Sequence, residues 1–174
     1  MRRLSIVMAV SALDTYMHRL VLERCFSHKE LPSGLASLTI PFEDLLTQAD
    51  ETAKAARRQS HNSRPRVGVK RQLRDRLLRE TYQRYDAVAH ALAMAGRPGK
   101  WDEIARAMEP PMTAVALKKE LDAIVSRRNE IVHEGDYLRK ERPRGPEQND
   151  MTHPQALAAI DFIAMLIEAI FHVS

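Results

Sequence analysis

The chain has 174 residues, a net charge of +4 at pH 7 and a single cysteine, Cys25. This length predicts one domain spanning residues 1–174, with a core that needs no metal or disulfide. One cysteine cannot form an intramolecular disulfide, which excludes a disulfide-stabilised scaffold and suits a reducing compartment. We therefore expect a cytoplasmic protein in which Cys25 has a packing role.

Positive charge is concentrated in one stretch. Residues 54–84 contain eleven Lys or Arg residues against Asp75 and Glu80, which gives this stretch a net charge of +9. A clustered basic segment attracts polyanions, so nucleic acid is a candidate partner. A solvated helix face explains the same charges, and composition alone leaves both interpretations open.

The first predicted element is a helix from about Arg3 to Cys25. Its start imitates a secretion signal, because two arginines precede a short apolar run. The apolar positions continue beyond that run at helical spacing, through Leu13, Met17 and Leu20. We therefore interpret the segment as a structural helix.

The middle of the chain predicts three further helices. The second runs from Pro41 to about Arg58, and a polar loop over residues 59–68 separates it from a third helix, from Val69 to Gly96. A short helix over residues 101–108 follows, with Trp101 expected to fill a space in the core.

A long helix begins near Thr113 and ends at Gly135-Asp136, and we expect residues 142–150 to be unstructured. Thr152 and Gln155 have the capping-box spacing ahead of a last helix that is apolar almost all round. Such a helix lies centrally or at an interface, and its two carboxylates and minimal length argue against a membrane span. The sequence thus predicts an all-α bundle of four to five long helices plus a short one.

Chemistry at a defined spacing occurs only at the end of the long helix. Arg128 falls in the middle of its apolar stripe, where an unpaired charge is costly. It must therefore meet an anion, a carboxylate or an aqueous groove between subunits. The other members of this stripe are Leu117, Leu121, Ile124, Val125, Ile131 and Val132.

Asn129 and His133 are four residues apart and share one face of the helix. Arg128 and His133 project about 140° apart, so the long guanidinium stem, a loosened helix end or a second subunit is needed to bring them together. In a purely structural alternative, Arg128 pairs with a buried carboxylate such as Glu168 or Asp14. His133 then stabilises the last turn through the helix dipole.

The run Arg128-Asn129-Glu130-Ile131-Val132-His133 resembles the Arg-x4-His signature of the HEPN superfamily. Together with Ser11-Ala12-Leu13-Asp14, Tyr16, His18, the stretch 127–136 and the apolar last helix, it resembles the RiboL-PSP-HEPN branch. This resemblance implies a helical bundle that dimerises with its motif helices facing each other. Many members are metal-independent endoribonucleases of toxin–antitoxin or anti-phage defence systems, so the resemblance implies this activity as well.

The residue types suit that chemistry, since RNA supplies its own 2′-hydroxyl nucleophile and needs no metal or cofactor. The resemblance assigns proton transfer to His133, phosphate binding and transition-state stabilisation to Arg128, and orientation of the substrate or imidazole to Asn129. Two copies of this set across a dimer axis would form one composite cleft. The expected RNA-binding residues are Arg127, adjacent to the motif, and three arginines of the basic segment: Arg71, Arg74 and Arg79.

One departure from the family concerns regulation. Some HEPN toxins carry a modifiable tyrosine two residues after the histidine, whereas here Tyr137 stands four residues after it. This weakens the expectation of a nucleotidyltransferase partner, although an antitoxin or another regulatory protein remains an expected partner beside RNA and a second copy.

Two other functions stay open. One is a non-catalytic HEPN module that binds RNA or a protein and dimerises through its last helix. The other is a helical adaptor with a solvated basic surface.

Other candidate sites are weaker. The seven histidines do not have the spacing that is typical of metal ligands. Tyr82 and Tyr85 could stack on bases, although a core role is favoured for Tyr85.

Overall fold

The structure is a computed structural model, and it describes residues 1–24, 73–137 and 148–173, together with residues 35, 46, 47, 49–51, 53, 54 and 71. These residues contain no β-strand, only an isolated bridge between Tyr137 and Gln148. The prediction of an all-α bundle is confirmed. Five helices have described bounds: α1 (Arg2–Arg24), α2 (Tyr85–Met94), α3 (Trp101–Ala107), α4 (Ala114–His133) and α5 (His153–Val173).

Several predictions fall on other parts of the chain. Of the predicted second helix, only residues 46, 47, 49–51, 53 and 54 are described, and these are helical. Cys25, the predicted loop over residues 59–68 and most of the predicted loop over residues 142–150 lie outside the described residues.

The centre of the bundle is α1. It packs against α5, α4 and α2, while α3 packs against α5 and α4. Its inward positions recur every three or four residues, which presents a single apolar stripe to its neighbours. These buried positions are Ile6, Val10, Leu13, Met17, Leu20 and Val21. The predicted first helix is therefore confirmed.

The predicted third helix, from Val69 to Gly96, is wrong as one continuous element. Residues 73–77 are helical, residues 78–84 leave the helix, and α2 then begins separately. Leu77 and Val88, on the two sides of this break, are both fully buried. Their helical spacing therefore concealed the interruption.

Contacts with α1 account for the break. The carboxylate of Asp14 accepts hydrogen bonds from the backbone N–H of Tyr82 at 2.6 Å and from the side-chain amide of Gln83 at 3.3 Å. Nε2 of His18 lies 2.9 Å from the carbonyl oxygen of Leu77. These groups satisfy backbone atoms that a continuous helix would have paired internally, so the chain can turn at this point.

Two helix starts agree with the sequence. The hydroxyl of Thr113 accepts a hydrogen bond from the backbone N–H of Ala116 at the start of α4. At the start of α5, the Gln155 side chain accepts from the backbone N–H of Thr152, and the Thr152 hydroxyl accepts from the backbone N–H of Gln155. This reciprocal pair is the capping box that the sequence predicted.

The last helix, α5, packs against α1 and α3 through one apolar face. Its buried residues are Ala156, Ala159, Phe162, Ile163, Leu166, Ala169 and Ile170. By length and composition α5 could cross a membrane, a test that the core helix of a bundle also passes. Leu157 and Phe171, on the opposite face, are exposed.

Candidate active site

The motif lies in the last turns of α4, where burial declines toward the end of the helix. The earlier apolar positions Leu117, Leu121, Ile124 and Val125 are buried. Farther along, Ile131 is only partly buried and Val132 is 46 % exposed. The predicted apolar stripe is therefore wrong at Val132, because the described elements that cover the first part of α4 leave this position exposed.

Arg128 is a partly buried cation with no carboxylate partner among the described residues. Its Nε is shielded from solvent and makes no hydrogen bond to any described residue, and its Nη1 donates to Oδ1 of Asn129 at 3.0 Å. The alternative in which Arg128 pairs with Asp14 or Glu168 is wrong, since Asp14 binds residues 82 and 83 and Glu168 is exposed. A guanidinium bound only to a neutral amide keeps its capacity for an anion.

Asn129 directs this guanidinium toward the side of α4 that carries His133. By helical projection Arg128 and His133 lie about 140° apart, whereas Asn129 and His133 lie only about 40° apart. His133 is exposed, and within the described part of the chain its imidazole makes no hydrogen bond. The structure thus brings Arg128 to Asn129 and leaves His133 accessible at the end of the same face.

Arg127 faces another way, into a cluster of ion pairs. Its Nη1 lies 2.6 Å from Oδ1 of Asp136, and its Nη2 lies 3.0 Å from Oδ2 of the same carboxylate. The guanidinium also contacts the carboxylate of Glu130 at 3.3 Å and the backbone oxygen of Asp150 at 3.3 Å. The donors of Arg127 are therefore taken by the protein itself, in contrast to those of Arg128.

The carboxylate of Asp136 is completely buried and also binds the first turn of α1. Nε of Arg3 donates to Oδ2 at 2.5 Å, and the side-chain amide of Asn149 donates to Oδ1 at 3.1 Å. Arg3 reaches the backbone oxygen of Asn149 as well, at 2.8 Å. This cluster (Arg3, Arg127, Asp136 and Asn149) joins the end of α4 to the start of α1.

Little in the sequence indicates this cluster, because Arg3 lies more than a hundred residues from the other members. Asp136 has a positive φ of 60° and follows Gly135, whose φ is 64°. A Gly-Asp pair is suited to two left-handed residues after a helix, since Asp tolerates this conformation better than most residues. That local signal predicts the helix end but not the two arginines that meet there.

The three arginines expected to bind RNA are placed on the surface. Arg71, Arg74 and Arg79 are exposed, and within the described ranges none of them forms an ion pair. By contrast, Arg76 on the same segment pairs with Glu80 at 2.9 Å. Each of these arginines is therefore accessible to a polyanion.

The two tyrosines differ in their surroundings. Tyr82 is buried, with its ring 4.7 Å from that of His18, so it is not accessible for stacking on a base. Tyr85 stacks on the buried ring of Trp101 at 4.3 Å and lies 4.7 Å from Nζ of Lys118. Trp101 and Tyr85 thus have the predicted core roles.

Among the described residues no group of three His, Cys, Asp or Glu side chains could hold a metal ion.

Comparison with known proteins agrees with the motif. A family model described as RiboL-PSP-HEPN matches residues 1–173. No curated protein and no solved structure matches this sequence. The match includes all five described helices, so it extends well beyond the six residues of the motif.

Proposed function

Since the chain belongs to the RiboL-PSP-HEPN family, we propose that it is a metal-independent HEPN-type endoribonuclease. It acts as a cytoplasmic homodimer, in a toxin–antitoxin or anti-phage defence system. An antitoxin or another regulatory protein controls it. The match to residues 1–173 supports the family part of this proposal, and the geometry at the end of α4 supports the assignment of residues.

The observation that carries the proposal is the contrast between two adjacent arginines. Arg127 has carboxylate partners, whereas among the described residues Arg128 contacts only the amide oxygen of Asn129 and its shielded Nε is unpaired. A guanidinium in this state gains charge-assisted hydrogen bonds when a phosphate arrives. Arg128 is therefore the arginine of the motif that holds the scissile phosphate.

The reaction uses groups that the chain and the RNA supply. The imidazole of His133 accepts the proton of the 2′-hydroxyl, and the imidazolium so formed donates it to the leaving 5′-oxygen. Histidine suits this exchange near neutral pH. The freed 2′-oxygen attacks the adjacent phosphorus, the bond to the 5′-oxygen breaks, and a 2′,3′-cyclic phosphate remains. Arg128 stabilises the negative charge that accumulates on the phosphoryl oxygens.

A second copy of the chain completes this site. The imidazole of His133 is exposed, and within the described residues no group of its own chain orients it. Facing motif helices would place each His133 in a cleft formed with the partner. The same arrangement would cover the exposed Val132.

Cleavage of RNA by the purified protein in EDTA tests the proposal. We expect wild-type protein to produce 2′,3′-cyclic phosphate ends, and both His133→Ala and Arg128→Met to lose at least a hundredfold in kcat/KM. Val115→Ala is the matched control, since Val115 is 80 % exposed on the same helix and far from the motif. Full activity in His133→Ala would reject this residue as the proton-transfer group.

One observation favours a second candidate, a non-catalytic module that binds RNA. Within the described ranges His133 has no hydrogen-bond partner, whereas a catalytic imidazole is usually oriented by one. The module would bind RNA through the exposed arginines Arg71, Arg74 and Arg79. It predicts no cleavage by the wild-type dimer and RNA binding that is unchanged in His133→Ala.

A further inference from the structure

We infer that Asp136 is a positioning residue for the end of α4, and that it acts through Arg127 and Arg3 to fix where His133 lies. The proposed function assigns catalytic roles to Arg128 and His133, with Asn129 as the hydrogen-bond partner of Arg128. The buried carboxylate three residues beyond His133 is an additional part of the same site.

Every polar group of Asp136 is engaged. Oδ1 accepts a hydrogen bond from Asn149 and forms an ion pair with Arg127, while Oδ2 accepts hydrogen bonds from Arg3 and Arg127. The backbone N–H of Asp136 donates to the carbonyl oxygen of Glu130 at 3.0 Å, and its carbonyl oxygen accepts from the backbone N–H of Asn149 at 2.7 Å. Six contacts on one fully buried residue leave it little freedom to move.

These contacts enclose the turn that carries the imidazole. His133 is the last residue of α4, and the carbonyl oxygen of Glu130 accepts hydrogen bonds from the backbone N–H groups of Glu134 and Asp136, each at 3.0 Å. Helix ends fray unless their last carbonyl groups are satisfied. Asp136 therefore holds residues 130–136 in one conformation, and a loosened turn would let His133 move relative to Arg128.

The turn also depends on its glycine. A Cβ at Gly135 would lie 2.8 Å from the ring of Tyr137, and Gly135 has a φ of 64°. Only glycine avoids both the clash and the conformational cost. The backbone at residues 135 and 136 therefore brings the carboxylate back under α4 toward Arg127, nine residues earlier in the chain.

The same carboxylate separates the roles of the two arginines of the motif. By pairing with Arg127, Asp136 keeps that guanidinium away from RNA and leaves Arg128 as the cation available at the site. We therefore interpret Arg127, which the sequence placed among the RNA-binding residues, as a partner of Asp136.

Asp136→Asn tests this role, because asparagine keeps the size of the side chain and tolerates a positive φ while it removes the charge. With an RNA substrate in EDTA we expect kcat to fall at least tenfold and KM to change less than threefold. A residue that fixes catalytic geometry lowers kcat, whereas a residue that binds RNA raises KM. Circular dichroism at the assay temperature establishes that the variant is folded.

Arg3→Gln serves as the second variant if Asp136→Asn does not fold. It removes one of the two cations and leaves the Arg127–Asp136 pair intact, so kcat should fall in the same direction but less. The matched control is Arg2→Gln, which loses the same charge from the adjacent position. Arg2 donates to the backbone oxygen of Met151 and binds no carboxylate within the described residues, so its variant should retain the wild-type kcat.

Hydrogen exchange provides a readout that does not depend on catalysis. In Asp136→Asn, or in Arg3→Gln if the first variant does not fold, the amides of residues 130–137 should exchange at least tenfold faster. The buried amides of α1 and α5 should keep their wild-type rates. Faster exchange throughout the bundle would overturn the inference, since Asp136 would then support only global stability.

The kinetic measurement rests on the proposed function, whereas the exchange measurement does not. If wild-type protein cleaves RNA but Asp136→Asn retains full kcat, the positioning role is wrong and the proposed function survives. If wild-type protein does not cleave RNA, the proposed function fails. In that case the hydrogen-exchange measurement decides alone, and faster amide exchange confined to residues 130–137 in the variant shows that Asp136 fixes this turn.

Discussion

Asn129 accepts a hydrogen bond of 3.0 Å from Nη1 of Arg128, its immediate neighbour in the chain. Adjacent residues on a helix project about 100° apart, so this contact requires the long arginine side chain to bend around α4. The bend moves the guanidinium away from the apolar stripe and toward the exposed face of His133. The amide therefore orients the arginine of the motif.

Asn129→Asp should impair RNA cleavage while leaving the fold intact. The new carboxylate would pair with Arg128 at the same distance, occupy the cation and repel a phosphate. We expect kcat/KM to fall at least tenfold, with a higher KM, in an RNA cleavage assay at low salt. Asn129→Gln, which stays neutral, is the matched control and should lose less. Equal effects of the two variants would show that charge at this position is unimportant.

Arg127 and Arg128 should differ in their contributions to stability. Arg127→Met removes one of the two arginines that neutralise the buried carboxylate of Asp136, so it should lower the free energy of unfolding by about 3 kcal/mol. Arg128→Met removes a shielded cation that has no carboxylate partner in the described part of the chain, so its stability should stay within about 1 kcal/mol of wild type.

Urea denaturation followed by circular dichroism measures both variants. Because the two positions are adjacent and lose the same charge, each serves as the control for the other. A larger loss of stability in Arg128→Met would contradict the division between a structural arginine and an available one.

The helices were predictable from the sequence where the residues that define the pattern all lie within one helix. The buried positions of α1, from Ile6 to Val21, recur at helical spacing, and the capping box of Thr152 and Gln155 uses residues three apart. The break after residue 77 was not predictable in this way. It depends on Asp14 and His18, more than fifty residues earlier in the chain.

In the candidate site, too, the local spacing was predictable and the long-range contacts were not. The spacing of Arg128, Asn129 and His133 identifies the motif from six consecutive residues. The sequence could not show which of two neighbouring arginines is occupied, because Arg3 and Asp136 meet across 133 positions. Long-range ion pairs of this kind leave no periodic signal.

Tyr82→Phe should remove part of the destabilisation of the protein at alkaline pH. Burial, with a smaller effect of the negative charge on Glu80, raises the pKa of the Tyr82 phenol well above its usual value. In the unfolded chain this phenol ionises near pH 10. Ionisation of Tyr82 therefore leaves the free energy of unfolding unchanged below about pH 10. As pH rises from there toward the higher folded pKa, the free energy of unfolding falls by up to about 1.4 kcal/mol per pH unit.

Near neutral pH the same variant should be as stable as wild type or slightly more stable, because the buried Tyr82 hydroxyl has no hydrogen-bond partner among the described residues. Urea denaturation at several pH values between 8 and about 11 measures the change. Tyr137→Phe, at a tyrosine that is 48 % exposed, is the control and should keep the wild-type pH dependence. An unchanged alkaline slope in Tyr82→Phe would show that other groups cause it.

Replacement of Arg71, Arg74 and Arg79 by glutamine should weaken RNA binding and reduce its salt dependence. These arginines are exposed and, within the described residues, form no ion pair, so each can replace a counterion on the RNA. For a single strand, each lost phosphate contact lowers the slope of log K against log salt by about 0.7, and three lost contacts lower it by about 2. Binding of a labelled single-stranded RNA to His133→Ala protein, between about 50 and 200 mM salt, measures this slope without cleavage.

The control is a triple variant that removes the same charge from α4 and α3, namely Lys118→Gln, Lys119→Gln and Arg106→Gln. This control should retain most of the slope. Equal slopes in the two triple variants would mean that only net charge matters and that the basic segment holds no defined RNA path.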